Sequence, residues 1–123
     1  MSNLSLEEKI NFISGTYRDP KIAAIDFDNT LFERSEEGYP EIGAPIEKNI
    51  DYVKEMQVKG WKTILWTCRD GEALEMALEA CNNEDLFFDK VNDNLYEEDN
   101  NVLSRKIYAS IYIDDKTLNP MEI

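Results

Sequence analysis

The sequence predicts a single α/β domain, a three-layer Rossmann-like arrangement with a parallel sheet of about four strands. Three observations carry that prediction. The run Ile22-Ala23-Ala24-Ile25 is short, uncharged and unbroken, as in a strand buried on both faces beneath helices, and it ends abruptly in Asp26 and Asp28. Similar β-rich runs recur over 61–67, 87–91 and 111–113, and the segments between them carry helical spacing, the alternation that builds a parallel sheet. A chain of 123 residues is long enough for one layered core and too short for two. One domain over 1–123 follows, with an N-terminal helical extension over 1–20 and the core over 21–118.

Taken in order, Ser5 followed by Glu7 and Glu8 reads as a helix N-cap with acids in the first turn. Leu6, Ile10 and Ile13 continue it to about Ser14, where Gly15 is expected to stop the helix. Asp19-Pro20 is a turn into the Ile22 strand. After Thr30, the polar stretch 32–43 holds Arg34, Glu36, Glu37, Gly38, Tyr39 and Pro40, and its size suits a loop lying as a flap over a site. Pro45 is expected to open a second helix with Ile46, Ile50, Val53 and Met56 facing the core, and Gly60 to end it. The second strand, over 61–67, completes a right-handed parallel β-α-β unit. Cys68-Arg69-Asp70-Gly71 turns the chain, with Asp70 as helix cap. Leu74, Ala77, Leu78 and Cys81 then recur at i, i+3, i+4 and i+7, a helix over 71–82. A weak third strand over 87–91, an acidic Asn-rich loop over 92–101, a short helix over 102–108 and a last strand at Ile111-Tyr112-Ile113 complete the order. Trp61 and Trp66 read as packing residues.

Composition narrows the chemistry. With 26 acidic against 13 basic residues the net charge is -13, a field that repels nucleic-acid phosphates and anionic membranes and favours solubility or basic partners. There is no histidine, which removes imidazole bases, Ser-His and Cys-His nucleophile pairs and most zinc sites. The two cysteines, Cys68 and Cys81, fall inside regular elements and read as free thiols in a reducing, cytoplasmic compartment. No run approaches the ~18 apolar residues of a membrane span, and Met1-Ser2-Asn3-Leu4 lacks a signal-peptide pattern.

The chemistry-bearing residues stand at strand ends: Asp26 and Asp28 after the first strand, Thr67 after the second, Lys106 before the last, Asp114 and Asp115 after it. In a parallel sheet those ends meet along one edge, where ligands bind. Alternation in an extended chain aims Asp26 and Asp28 the same way. Like charges that close are costly without a cation between them, so the stretch asks for a metal. This constellation resembles the haloacid dehalogenase (HAD) superfamily of phosphohydrolases. The first motif, Asp-x-Asp-x-Thr, is met by Asp26-Phe27-Asp28-Asn29-Thr30, the second by Thr67, the third by Lys106, with Lys90 or Arg105 as alternatives, and the acidic fourth by Asp114-Asp115. Leu65-Trp66-Thr67-Cys68-Arg69-Asp70-Gly71-Glu72 and Ser104-Arg105-Lys106 are similar to spans of its small capless members.

The resemblance implies a HAD-like fold without a cap domain and an Mg²⁺-dependent phosphatase. In it Asp26 is the nucleophile that forms an aspartyl phosphate, and Asp28 is the acid and base. Mg²⁺ is held by Asp26, the Asp28 backbone carbonyl and Asp114, supported by Asp115. Thr67 and Lys106 contact the phosphoryl group. Arg69 is a candidate phosphate or substrate contact, because a cation near a helix N-terminus is electrostatically misplaced unless an anion is near. Thr30 braces the turn. The phosphorylated substrate is a small molecule or a macromolecule, and an open site of this kind is compatible with a homo-oligomer supplying a lid. Two other readings stay open at this point: a phosphate-binding module of the same fold with turnover lost, and an acidic protein-interaction domain.

Overall fold

The structure, a computed structural model, describes residues 4–17, 20–93 and 109–114. The third-motif candidates Lys106 and Arg105, the fourth-motif Asp115, Asp19, and the helix expected over 102–108 all lie outside the described residues.

Helix α1 (Leu6–Thr16) starts on a full capping box: Ser5 Oγ accepts from the Glu8 N–H at 3.1 Å and the Glu8 carboxylate accepts from the Ser5 N–H at 3.0 Å. The helix runs through Gly15 to Thr16, beyond the expected stop. Ile10 and Ile13 enter the main core, the buried Trp61 indole donates to Ser14 Oγ at 2.8 Å, and Tyr17 meets the Trp61 ring edge-on at 5.8 Å. These contacts override the weak helix propensity of one glycine.

Strand β1 (Ile22–Ile25) is buried throughout, as its uncharged sequence requires. Residues 32–43 correct the expected loop: β2 (Phe32–Arg34) and β3 (Ile42–Pro45) pair antiparallel, Phe32 opposite Pro45 and Arg34 opposite Ile42, with a register shift between. Gly43 permits it, since a Cβ there would lie 2.6 Å from the Glu33 carbonyl oxygen and 2.9 Å from that of Arg34. Pro45 therefore ends a strand, where an edge position tolerates its missing N–H. Helix α2 (Glu47–Val58) begins after Ile46 without a side-chain cap. Its Ile50, Val53 and Met56 are buried as the spacing predicts. Gly60, at φ +94°, closes the helix with Trp61 N–H donating to the Met56 carbonyl at 3.0 Å, a turn that only a residue tolerant of positive φ makes cheaply.

Strand β4 (Lys62–Leu65), helix α3 (Gly71–Asn83), β5 (Lys90–Val91) and β6 (Ile111–Ile113) complete the order. Asp70 holds the N-cap position of α3, but its side chain makes no capping hydrogen bond. The two-residue β5 is reinforced by Asp89, whose carboxylate accepts from the Thr63 N–H at 2.7 Å. The main sheet has the order β5-β4-β1-β6, all parallel, with Ile25 opposite both Leu65 and Ile113. Going β1, β4, β5 the chain moves one way, so right-handed crossovers put α2 and α3 on the same face. Ala23, Ile25, Leu65, Ile111 and Ile113 accordingly share one core with all three described helices. Ile22, Ala24 and Ile64 form a smaller cluster on the opposite face with Ala109. The crossover to β6, which reverses direction to the far side of β1, runs through residues outside those described.

Two glycines give substitutions of opposite sign. Gly15, helical and with nothing within 4 Å of an added Cβ, should gain about 0.5–1 kcal/mol as Ala. Gly43→Ala should lose stability, because the neighbours its Cβ would meet are backbone atoms. Thermal unfolding of the two variants checks this: a Gly43→Ala variant as stable as the parent would contradict the hairpin pairing.

Candidate functional site

The reversal of strand order at β1 and β6 is a topological switch point, and its carboxyl edge is the crevice where open α/β sheets bind ligands. Asp26 and Asp114 follow the paired residues Ile25 and Ile113, and the Asp26 N–H donates to the Ile113 carbonyl at 2.9 Å. The two acidic residues thus leave neighbouring strands at one level, their backbones roughly 5 Å apart by strand spacing. An oxygen-only pair of this kind fits a hard cation such as Mg²⁺, which takes one or two carboxylates and keeps waters. Among the described residues no group of three His, Cys, Asp or Glu gathers for a metal.

Beyond Ile25 the chain stops being extended. The Phe27 carbonyl accepts from the N–H of Leu31 at 2.9 Å and of Thr30 at 3.2 Å, and Asn29 sits at φ 62°, which Asn tolerates better than most residues. Thr30 is buried, and its carbonyl accepts from Asn49 Nδ2 at 2.7 Å, which braces the turn. In this turn both first-motif acids accept hydrogen bonds. Asp26 Oδ1 accepts from the Phe27 N–H at 2.8 Å. The Asp28 carboxylate goes to Arg69, accepting from Nε at 3.0 Å and from Nη2 at 2.9 Å.

Arg69 is the buried anchor of this region, its side chain 2% exposed against 30% for Asp28. Its Nη1 donates to the carbonyls of Pro40 at 2.8 Å and Ala73 at 3.2 Å. The guanidinium lies 5.1 Å from the Phe27 ring centre and 5.0 Å from that of Tyr39. The anion that a cation at the start of α3 demands is therefore Asp28, and the N–H groups on which a substrate contact would rely are largely engaged within the protein. Thr67, at the end of β4, accepts from the Arg69 backbone N–H through Oγ1 at 3.1 Å, while its own N–H donates to Asn92 Oδ1 at 2.8 Å. Accepting leaves the Thr67 hydroxyl proton able to donate elsewhere.

Beside this edge lies a cavity of about 400 Å³ lined by Asp28, Arg34, Ser35, Gly38, Tyr39, Glu41, Cys68 and Arg69. Asp26, Thr67 and Asp114 do not line it; Asp28 joins the cavity to the strand-end carboxylates. Sequence reasoning had the 32–43 segment covering a site, but Glu41 and Cys68 as cavity residues and Asn92 as a support for Thr67 carried no local signal.

Removing either partner of the Asp28–Arg69 pair leaves the other uncompensated. Arg69→Met should cost about 3 kcal/mol, roughly a 10 °C fall in melting temperature for a domain of this size. Arg69→Lys, which cannot make the two-pronged contact, should recover only part of the loss. A melting temperature unchanged in Arg69→Met would show that the pair holds nothing in place.

No family model matches the chain, and no curated protein matches it. A solved structure does: a conserved protein coded by a locus of Bacteroides thetaiotaomicron superposes with a TM-score of 0.67 at 37% sequence identity, over 77% of this chain and 75% of that one. At that identity and coverage, with a parallel sheet and helices of the kind described above, the chain belongs to the same family as this conserved Bacteroides thetaiotaomicron protein.

Proposed function

We propose that this protein is a Mg²⁺-dependent phosphomonoester hydrolase of the haloacid dehalogenase type, working through an aspartyl phosphate on Asp26. The observation that carries the reading is the register of β1 on β6: Asp26 and Asp114 directly follow the paired Ile25 and Ile113 at the switch point, with Asp28 two residues further on. The first-motif spacing and the absence of histidine add to it.

On this reading the Asp26 carboxylate attacks phosphorus, the ester P–O bond breaks, and Asp28 gives its proton to the leaving oxygen. A water then attacks the aspartyl phosphate, giving its proton to Asp28, and the bond to Asp26 breaks to release inorganic phosphate. Each Asp28 oxygen accepts one Arg69 N–H, and a carboxylate has about four lone-pair sites, so a site for the travelling proton is left while the group is held in orientation. Arg69 is then a positioning residue. Thr67 donates its hydroxyl to a phosphoryl oxygen. Mg²⁺, held by Asp26, Asp114 and the Asp28 carbonyl, would neutralise charge on the phosphoryl group when bound. Lys106 and Asp115 keep the roles the resemblance implies, Lys106 toward the nucleophile and phosphoryl group and Asp115 toward the metal.

Purified protein should release phosphate from 4-nitrophenyl phosphate with Mg²⁺ and stop when the ion is chelated. Asp26→Asn should lower turnover on the order of 10³-fold or more, and equal activity of that variant would assign the turnover to a contaminant. The metal is tested separately, by melting. Binding to the folded form alone adds about 1.4 kcal/mol at ten times the dissociation constant, or roughly 5 °C for this size of domain. Asp114→Asn should abolish most of that rise. Potassium chloride at matched ionic strength is the control, because screening also relieves a net charge of -13. A salt control that reproduces the whole shift would remove the metal from this edge.

A further inference from the structure

Two residues that line the cavity beside Asp28, Arg69 and Tyr39, belong to a run of planar groups in contact. The Phe32 and Phe27 rings stack at 5.2 Å with 27° between their planes, Arg69 lies over Phe27, and Arg69 also lies over Tyr39. Phe32, Phe27 and Arg69 are buried, whereas Tyr39 is 67% exposed. Exposure of one aromatic ring is unremarked on most surfaces. Here the ring is fixed from below by the guanidinium, and the next residue is anchored through the Pro40 carbonyl at 2.8 Å from Arg69 Nη1. A ring held in that way has already lost the freedom that stacking would otherwise cost.

The chemistry of the surroundings limits what stacks there. A space of about 400 Å³ suits a ring-sized group. Among the lining residues Arg69 is paired with Asp28 and Arg34 stands against Glu41, so no net positive charge is left for a second anionic group. Arg34, Ser35 and Glu41 offer donors and an acceptor to the edge of a ring. We infer that the leaving group of this protein's phosphomonoester substrate is a neutral planar aromatic or heteroaromatic group that stacks on Tyr39 in this cavity. The inference rests on the phosphatase reading above and deepens it by naming the substrate class.

Benzyl phosphate and cyclohexylmethyl phosphate test it, since both release a primary alcohol and differ in having a flat or a saturated ring. An aromatic contact of this kind should favour benzyl phosphate by about 3- to 10-fold in kcat/KM, expressed mainly in KM. Tyr39→Phe should keep the preference and Tyr39→Leu should erase it. Binding is read independently of turnover with benzylphosphonate and cyclohexylmethylphosphonate by calorimetry, where the same ratio is expected and a para-carboxylate on the benzyl ring should weaken binding. Benzylphosphonate should also protect the exposed, cavity-lining Cys68 from a thiol reagent. The buried Cys81, its thiol pushed up to about 12 by burial, adds no background. Ring-dependent binding that Tyr39→Leu abolishes, without turnover of either phosphate, would uphold the stacking site and sink the phosphatase reading. Turnover that depends on Asp26 with equal affinity for both ligands would do the reverse, and the comparison in the unsubstituted protein decides even if Tyr39→Leu fails to fold.

Discussion

The constraint on which this architecture depends is the burial of one guanidinium. Removing an arginine from water costs several kcal/mol unless its charge is met and its N–H groups are placed. Arg69 meets those terms by drawing on three separate parts of the chain: the carboxylate of Asp28 in the turn after β1, the Pro40 carbonyl in the β2–β3 hairpin, and the Ala73 carbonyl in the first turn of α3. Each of these segments is short, and each also sends residues into the core: Phe27 and Leu31 from the turn, Phe32 from the hairpin, Ala77 and Cys81 from α3. Their mutual positions are set because one fork-shaped donor group has to be satisfied by all of them together. A lysine presents a point charge without that planar fork and cannot reproduce the arrangement.

That anchor also engages one of two acids which the chain places two residues apart. Asp26 stays at the end of β1, level with Asp114 of the adjoining strand, while Asp28 is turned toward Arg69. The guanidinium meets the Asp28 charge, which offsets the cost of placing two carboxylates two residues apart, and it gives Asp28 surroundings of its own. The hairpin, tied to the same guanidinium, carries Tyr39 to the cavity on the Asp28 side. The elements that would hold a phosphoryl group and those that would meet the rest of a substrate are thereby linked through one side chain.

What the sequence by itself determined was whatever depends on near neighbours. Apolar runs marked β1 and β6, a short β-rich run marked β4, and the spacing of Ile50, Val53 and Met56 marked the buried face of α2. Ser5 with Glu8, and Gly60 after α2, announced helix ends by bonds spanning only a few residues. The strand-end positions of Asp26 and Asp114 followed from those runs. The tertiary structure alone decided the rest. The β2–β3 pairing consists of a few residues without strong alternation, and it depends on Gly43 lying against the backbone of Glu33 and Arg34. Pro45 and Gly15, good helix punctuation in isolation, were overruled by that pairing and by the packing of α1 on Trp61. The Asp28–Arg69 pair joins residues 41 apart in sequence, and no local pattern specifies it. Only when the sheet brings the ends of β1 and β4 side by side does a buried cation find its anion, because desolvation makes that partnership compulsory.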